Sequence, residues 1–290
     1  MPQETNLNVT PYYDDFDPSS NFHRVLFKPG TPVQARELTG LQSILQDQVE
    51  KFGTHFFKEG AKVIPGQLSY QDLFTGVTID PDFAGIPVSL YVEQLIGKRF
   101  RGEQSGIEAK IEFVLSASES AIGLNTLYFT ITKSGTDFES GDFVDGENLV
   151  LLESLSYGNT VISANQSFAT TSPLDCNITG SAANIQDGVY FLRGNFVTVN
   201  AQTILLQQYE SMPTLKVGLS VREEIVNADE DASLNDNAQG FSNYAAPGAD
   251  RLKISAVLTS KIIADDDDPN FVELMRIQDG ELETFVKNTD

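Results

Sequence analysis

The chain has 290 residues, with 41 Asp and Glu against 19 Lys and Arg, a formal charge of −22 at neutral pH. Hydrophobic residues make up 40% and charged residues 21%, a globular balance that argues against wholesale disorder. A chain of this length buries enough surface to fold without disulfides or metal. A polyanion with a pI near 4.3 is repelled by nucleic-acid phosphates and anionic membranes, so neither is an expected partner.

Cys176 is the single cysteine, which rules out an intramolecular disulfide and a Cys-rich zinc module. The opening MPQETNLNVT has no basic stretch followed by an apolar core, and no apolar run approaches the ~18–20 residues that cross a bilayer. The expectation is a chain made in a cytoplasm, soluble there and without membrane insertion. Its sequons at Asn8, Asn165 and Asn177 then read as chance matches.

Residues 1–30 read as an extended arm. Pro11, Pro18 and Pro29 break any helix, and Tyr12, Tyr13, Phe16, Phe22, Val25 and Phe27 offer anchors without helical spacing. Such an arm is either pinned across its own domain or laid on a neighbouring subunit. A helix follows within 31–57. Thr31 as N-cap, Pro32 at the first helical position and Gln34 two residues later form a capping box, and Gly53 offers a stop, giving a helix over about 32–52. Leu38, Leu41, Leu45 and Phe52 form one apolar stripe, flanked by Ile44, Val49 and Phe56. Gly40 inside it costs ~1 kcal/mol against Ala and would suit a close backbone approach. Two arrangements satisfy the stripe: packing on the chain's own sheet, or a self-association seam. The uncharged side chains of Gln34, Gln42, Gln46 and Gln48 suit the seam. Leu38, Gly40, Leu41, Leu45 and Phe52 are the candidate self-association residues.

From residue 61 the period changes to two. Lys62–Ile64, Gly76–Ile79 and Val88–Val92 read as strands. Residues 93–160 read as an inserted small β unit, barrel-like and helix-free, with strands at Ile107–Val114, Leu127–Thr132 and Leu149–Leu152 and its two ends close together. Lys133–Thr136 is read as a turn. A polar stretch at 164–186 separates it from Asp187–Val199, two β segments joined at Arg193-Gly194-Asn195, and from strands at Thr203–Leu206 and Leu215–Val221. The expected fold is thus mainly β with one long N-terminal helix, an α+β class. It comprises the arm (1–30), the helix (31–57), a discontinuous β domain (58–92 plus 161–264) and the insert (93–160). An acidic break, Asp265–Asp268, then opens a further segment over 265–290 with a short helical stretch at about 270–286.

Motifs for chemistry are sparse. His23 and His55 are the two histidines, and neither has a second ligand type four residues away. The sequence has no H-E-x-x-H, G-x-S-x-G, Walker or dinucleotide-binding motif. Cys176 has no basic neighbour to activate it. The run opening at Asp229 fails as a calcium loop, with Leu234 where Gly is required and Gly240 where a bidentate Glu belongs. Asp14–Asp17 and Asp265–Asp268 read as solvated charge. No catalytic residue, cofactor or metal site is assigned, and the chain is read as a non-enzyme.

Three strings carry a resemblance: Val9–Thr39, Asp187–Val197 and Asn235–Leu252. They resemble the N-terminal region of a family of large structural proteins of tailed bacteriophages, notably T4-like cyanophages, known chiefly as a domain of unknown function. The resemblance is weak over 93–160. It implies a virion protein of the baseplate or tail-fibre apparatus, assembled in the host cytoplasm. Its partners would be further copies of itself as a homotrimer and other baseplate or fibre proteins. The expected role is a structural subunit of a contractile tail that joins baseplate to tail fibres. The alternative is a receptor- or glycan-binding tail-fibre or tail-spike protein, which exposed aromatics on the 93–160 unit would favour.

Overall fold

The computed structural model describes residues 3–64, 66–135, 141–209, 212–265 and 268–285. Its single α-helix, α1, spans Ala35–Phe56 and differs from the expected helix at both ends. Gln34 is the N-cap, and Glu37 at the third helical position accepts the Gln34 N–H at 2.9 Å. A carboxylate there also meets the positive end of the helix dipole, so the helix starts one turn later than Thr31 and Pro32 suggest. Thr31 instead closes a turn by donating its N–H to Lys28. Gly53 does not stop the helix; it lies buried within it.

Among the described residues nineteen strands follow. They begin with β1 (Ala61–Ile64), β2 (Leu68–Ile79), the small ribbon β3 (Asp82–Phe83) and β4 (Ile86–Pro87), then β5 (Arg99–Gly102) and β6 (Glu108–Leu115). Next come β7 (Asn125–Lys133), β8 (Asn148–Leu151), the hairpin β9 (Leu155–Tyr157) and β10 (Thr160–Ile162), and β11 (Ser167–Thr170). The chain continues with β12 (Asn177–Ile185), β13 (Gly188–Leu192), β14 (Asn195–Val199) and β15 (Gln202–Gln207). It ends with β16 (Leu215–Val226), β17 (Arg251–Lys261), β18 (Phe271–Gln278) and β19 (Glu281–Phe285).

The largest sheet has the order β11-β8-β5-β6-β7-β2-β12-β15. Its first six strands curl until they meet. Thr171, just past β11, bridges Ile79 at the end of β2; Asp80 donates to the Thr170 carbonyl and Ser172 to that of Thr78, both at 2.9 Å. The result is a six-stranded barrel. Phe100 sits in its core, stacked on Phe143 at 5.3 Å and edge-on to Phe129 and Phe168. Cys176 is buried in the same core, and burial, with Asp145 adding to it, pushes the thiol up to about 12.

The barrel does not stop at 93 and 160. Val77, Ile79, Val88, Tyr91, Phe168, Ala169 and Cys176 share its core, so the unit runs from about β2 to the start of β12. Alternation identifies a strand but not its neighbour, and β7 pairs with β2 on one side and β6 on the other. Val88–Val92 is not a strand. It forms two short 3₁₀ turns, Val88–Leu90 and Val92–Leu95, burying Val88, Tyr91, Val92 and Leu95. That spacing of three, four and seven is helical, and the coincident alternation of Val88, Leu90 and Val92 masks it. The polar stretch 164–186 holds β11 and β12. β12 pairs with β2 along its length and with β15 over Ser181–Ile185, and its small residues, Gly180-Ser181-Ala182-Ala183, are all buried.

A second core joins β13, β14 and β15 to a four-stranded sheet of order β17-β16-β18-β19. Here the expected helix at about 270–286 is two strands. Asp279 and Gly280, both left-handed at φ 49° and 80°, make the type I′ turn between β18 and β19. Val272, Leu274, Met275 and Ile277 enter the same core as Val217 and Leu219, so no further segment starts at 265. Asp265 and Asp268 both pair with Lys261. Asp266 and Asp267 of the acidic run, Thr136 of the turn read at 133–136, and residues 286–290 lie outside the described residues.

Deleting 97–156 would remove β5 to β9, leaving Val77, Ile79, Phe168 and Cys176 without a core. The deletion variant, bridged by Gly-Ser, should be insoluble while the intact chain is soluble; a folded remainder by circular dichroism would restore the smaller insert.

Candidate functional site

Helix α1 rests on the β13–β14 hairpin by a narrow contact. Ile44 and Gly53 are its buried residues, and Gln46 donates to the Asn195 side-chain oxygen at 2.7 Å. A methyl group on Gly53 would stand 2.4 Å from the buried Phe191 ring, so the close approach belongs to Gly53. Gly40, expected from the sequence to admit a neighbouring copy's backbone in a self-association seam, has none of its own chain's described atoms within 4 Å. Below the helix, Phe57, Phe191 and Phe196 cluster with ring centroids 5.4–5.9 Å apart.

The apolar stripe points away from this contact. Leu38 is 53% exposed, Leu45 59% and Phe52 64%, with Val49 and Phe56 also exposed and Leu41 half-buried. Positions 38, 41, 45, 49, 52 and 56 advance by 18 residues in five steps, a mean of 3.6, so the stripe follows the helix without drifting around it. The helix therefore carries a straight apolar face that none of the described residues of its own chain covers. On the arm, Tyr13, Phe22, Leu26, Phe27 and Val33 are exposed as well.

The arm's own anchors are polar. Tyr12 donates to Asp250 at 2.5 Å, Ser43 donates to Asp14, and Asp15 pairs with Arg36 at 2.6 Å. These contacts commit the first acidic cluster to structure. At the arm's start lies a buried basic side chain. Arg193 is 2% exposed although it occupies the tip of the β13–β14 hairpin, where Arg193 and Gly194 form a type I′ turn with φ 51° and 77°. Its guanidinium pairs with Glu223 of β16 at 2.8 Å and Glu4 at 3.2 Å and donates to Asn270, while its N–H donates to Glu59 at 2.8 Å. The Glu223 side chain, 4% exposed, also accepts the N–H groups of Glu4 and Thr5 at 3.0 and 2.8 Å and the Thr5 hydroxyl at 2.5 Å. This seat borders a cleft of about 310 Å³. Sequence reasoning placed Arg193 in a turn but missed its burial; an arginine where Asn, Asp or Gly is usual was the available signal.

Against known proteins, the model of a family described as a domain of unknown function (DUF4815) matches residues 10–81 and 131–290, about four fifths of the chain. The chain belongs to this family. The unmatched residues, 82–130, hold β3 to β6 and the first part of β7, so the family pattern is interrupted within the barrel. No curated protein and no solved structure matches.

Gly53→Ala should destabilise the chain by ~1–3 kcal/mol despite its better helix propensity, because the Phe191 ring must move. Gly40→Ala should stabilise it by up to ~1 kcal/mol; denaturant titration reads both. Burial alone would raise the Glu223 carboxyl, but bonds from Thr5, Arg193 and Glu4 outweigh it and hold it below the usual glutamate range. A depressed folded value means that arm docking is intact above the ordinary glutamate pKa and is lost as pH falls through the lowered one. Amide-exchange protection at Glu4 and Thr5 should vanish there, and in Glu223→Gln it should be weak already at pH 7.

Proposed function

We propose that the chain is a non-enzymatic structural subunit of a tailed-bacteriophage virion, a baseplate component that joins baseplate to tail fibres and self-associates as a homotrimer through α1. The single observation that carries the self-association is the straight exposed stripe from Leu38 to Phe56. Each such side chain is worth ~1.5–3 kcal/mol when fully buried, enough in aggregate to outweigh repulsion between copies that is screened beyond ~8 Å at physiological salt. The virion setting rests on the resemblance of the Val9–Thr39, Asp187–Val197 and Asn235–Leu252 strings. The glycan-binding alternative would be served by exposed aromatics on the 93–160 segment. The large exposed apolar residues described there are Ile96, Ile122, Ile131 and Val144, all aliphatic.

Sedimentation velocity tests the reading. The wild-type chain at tens of micromolar should sediment as a trimer. Leu45→Asp should sediment as a folded monomer, since Leu45 is largely exposed within one chain and its replacement leaves that chain's core intact. A wild-type monomer, or an Leu45→Asp trimer, would overturn it.

A further inference from the structure

The arm and the segment behind it differ in how they are held. Over residues 3–16 the half-buried positions are Gln3, Thr5 and Leu7, then Tyr12, Asp14 and Phe16, two short stretches with alternate residues turned inward, joined by a turn in which Asp14 donates its N–H to Leu7. Its anchors on Glu223, Arg193, Asp250, Ser43 and Arg36 are specific polar contacts on three separate parts of the chain. Residues 16–34 are different. Among the described residues their hydrogen bonds stay within 14–37, and the 3₁₀ turn Pro18–Ser20 is their only regular structure. Phe22 and Leu26 are 72% and 77% exposed. A loop this long without secondary structure, showing apolar side chains to water, is uncommon unless it has a binding role.

We infer that the arm is exchanged between copies: residues 3–15 of one chain occupy the Arg193–Glu223 seat of a second copy, and residues 16–34 are the hinge that crosses between them. This rests on the self-association proposed above and adds the contact by which copies are clasped. Exchange repeats every seat contact unchanged, so the seat itself opposes it with no penalty, which is why swapped elements are a low-cost route to oligomers. What changes is the hinge. Within one chain its Phe22, Leu26, Phe27 and Val33 cover nothing; at a junction between copies they lie against a neighbour's surface, such as the stripe on its α1. Charge favours the crossing. In a chain of net −22, residues 16–34 hold Arg24 and Lys28 against the single acid Asp17, so the hinge is the locally basic segment drawn to an acidic neighbour. Reach suffices as well: nineteen extended residues span up to about 65 Å, and copies that share an axis through α1 bring the arm's exit at Arg36 close to its neighbours'.

The test uses two full-length chains, Tyr12→Cys with a size tag and Asp250→Cys without one, co-expressed, purified together and treated with a short bis-maleimide. Native Cys176 is fully buried and does not compete. Exchange predicts a denaturing-gel band at the summed mass of the two chains in most molecules, and the same result with Asp14→Cys and Ser43→Cys should these variants weaken the first pair. If the mixtures give no such band, and the Tyr12→Cys/Asp250→Cys double variant closes only within single chains, the inference is overturned. Sedimentation of the unlinked protein separates the two failures: an assembled sample without the band removes exchange and leaves self-association standing, whereas a monomeric sample removes both.

Discussion

The ion pair between Arg193 and Glu223 is the constraint on which the rest of the structure turns. A guanidinium and a carboxylate taken out of water lose hydration worth several kcal/mol each, and their attraction offsets this only with good geometry and further hydrogen bonds. Here those bonds come from four separate stretches: Glu4 and Thr5 of the arm, Glu59 behind the helix, Glu223 in β16 and Asn270 before β18. Glu59 holds only the Arg193 backbone N–H, but removing the arm or Asn270 leaves a buried charge under-satisfied, so the pair enforces the mutual placement of arm, hairpin and sheet. The position also explains a backbone oddity. Arg193 holds φ 51°, a conformation that costs a residue with a Cβ roughly 1–2 kcal/mol, because the hairpin tip is the place from which a long side chain reaches β16.

The same hairpin fixes how the helix is presented. Gly53 lets α1 approach Phe191, Gln46 holds Asn195, and Phe57 closes the contact against Phe196. That contact needs one narrow line of the helix surface, which leaves a whole apolar stripe on another. A soluble chain rarely leaves Leu, Val and Phe in a row facing water without a partner for them. The helix is thus placed by its own β domain with its apolar stripe left facing outward.

Much of this was legible in the sequence where one period dominated. The stripe of α1, the alternation of β6 and β7 and the turn at Arg193-Gly194 all follow from local spacing. What escaped was set by tertiary partners. Gly180-Ser181-Ala182-Ala183 has weak strand propensity, yet it lies between β2 and β15 because small side chains are what that site admits. Val88–Leu95 fits both periods, and only the barrel core selects the helical one. The β18–β19 hairpin was misread although Asp279-Gly280 is a strong turn signal, because Val272 to Ile277 carries an ambiguous short apolar run. On α1, spacing located the exposed apolar line of Leu38, Leu45 and Phe52 but not the buried approach at Gly53. Spacing says which face is apolar, and only the fold says which face meets the protein.

Charge decides what kind of contact such a chain can make. At −22 per copy, association through extended polar surfaces would bring like charges together over long distances, and salt weakens but does not reverse that. The surfaces suited to contact are those with little acid on them. The helix stripe is one, built from Leu, Val and Phe, and the hinge at 16–34 is the other, with more base than acid. Both lie at the N-terminal end: the stripe is placed by the Gly53–Phe191 and Gln46–Asn195 contacts, and residues 16–34 follow the arm seated at Arg193–Glu223. In the proposed assembly the acidic body would keep copies apart everywhere else, so repulsion and the apolar stripe would act together: the first would exclude most relative orientations, and the second would stabilise the few that remain.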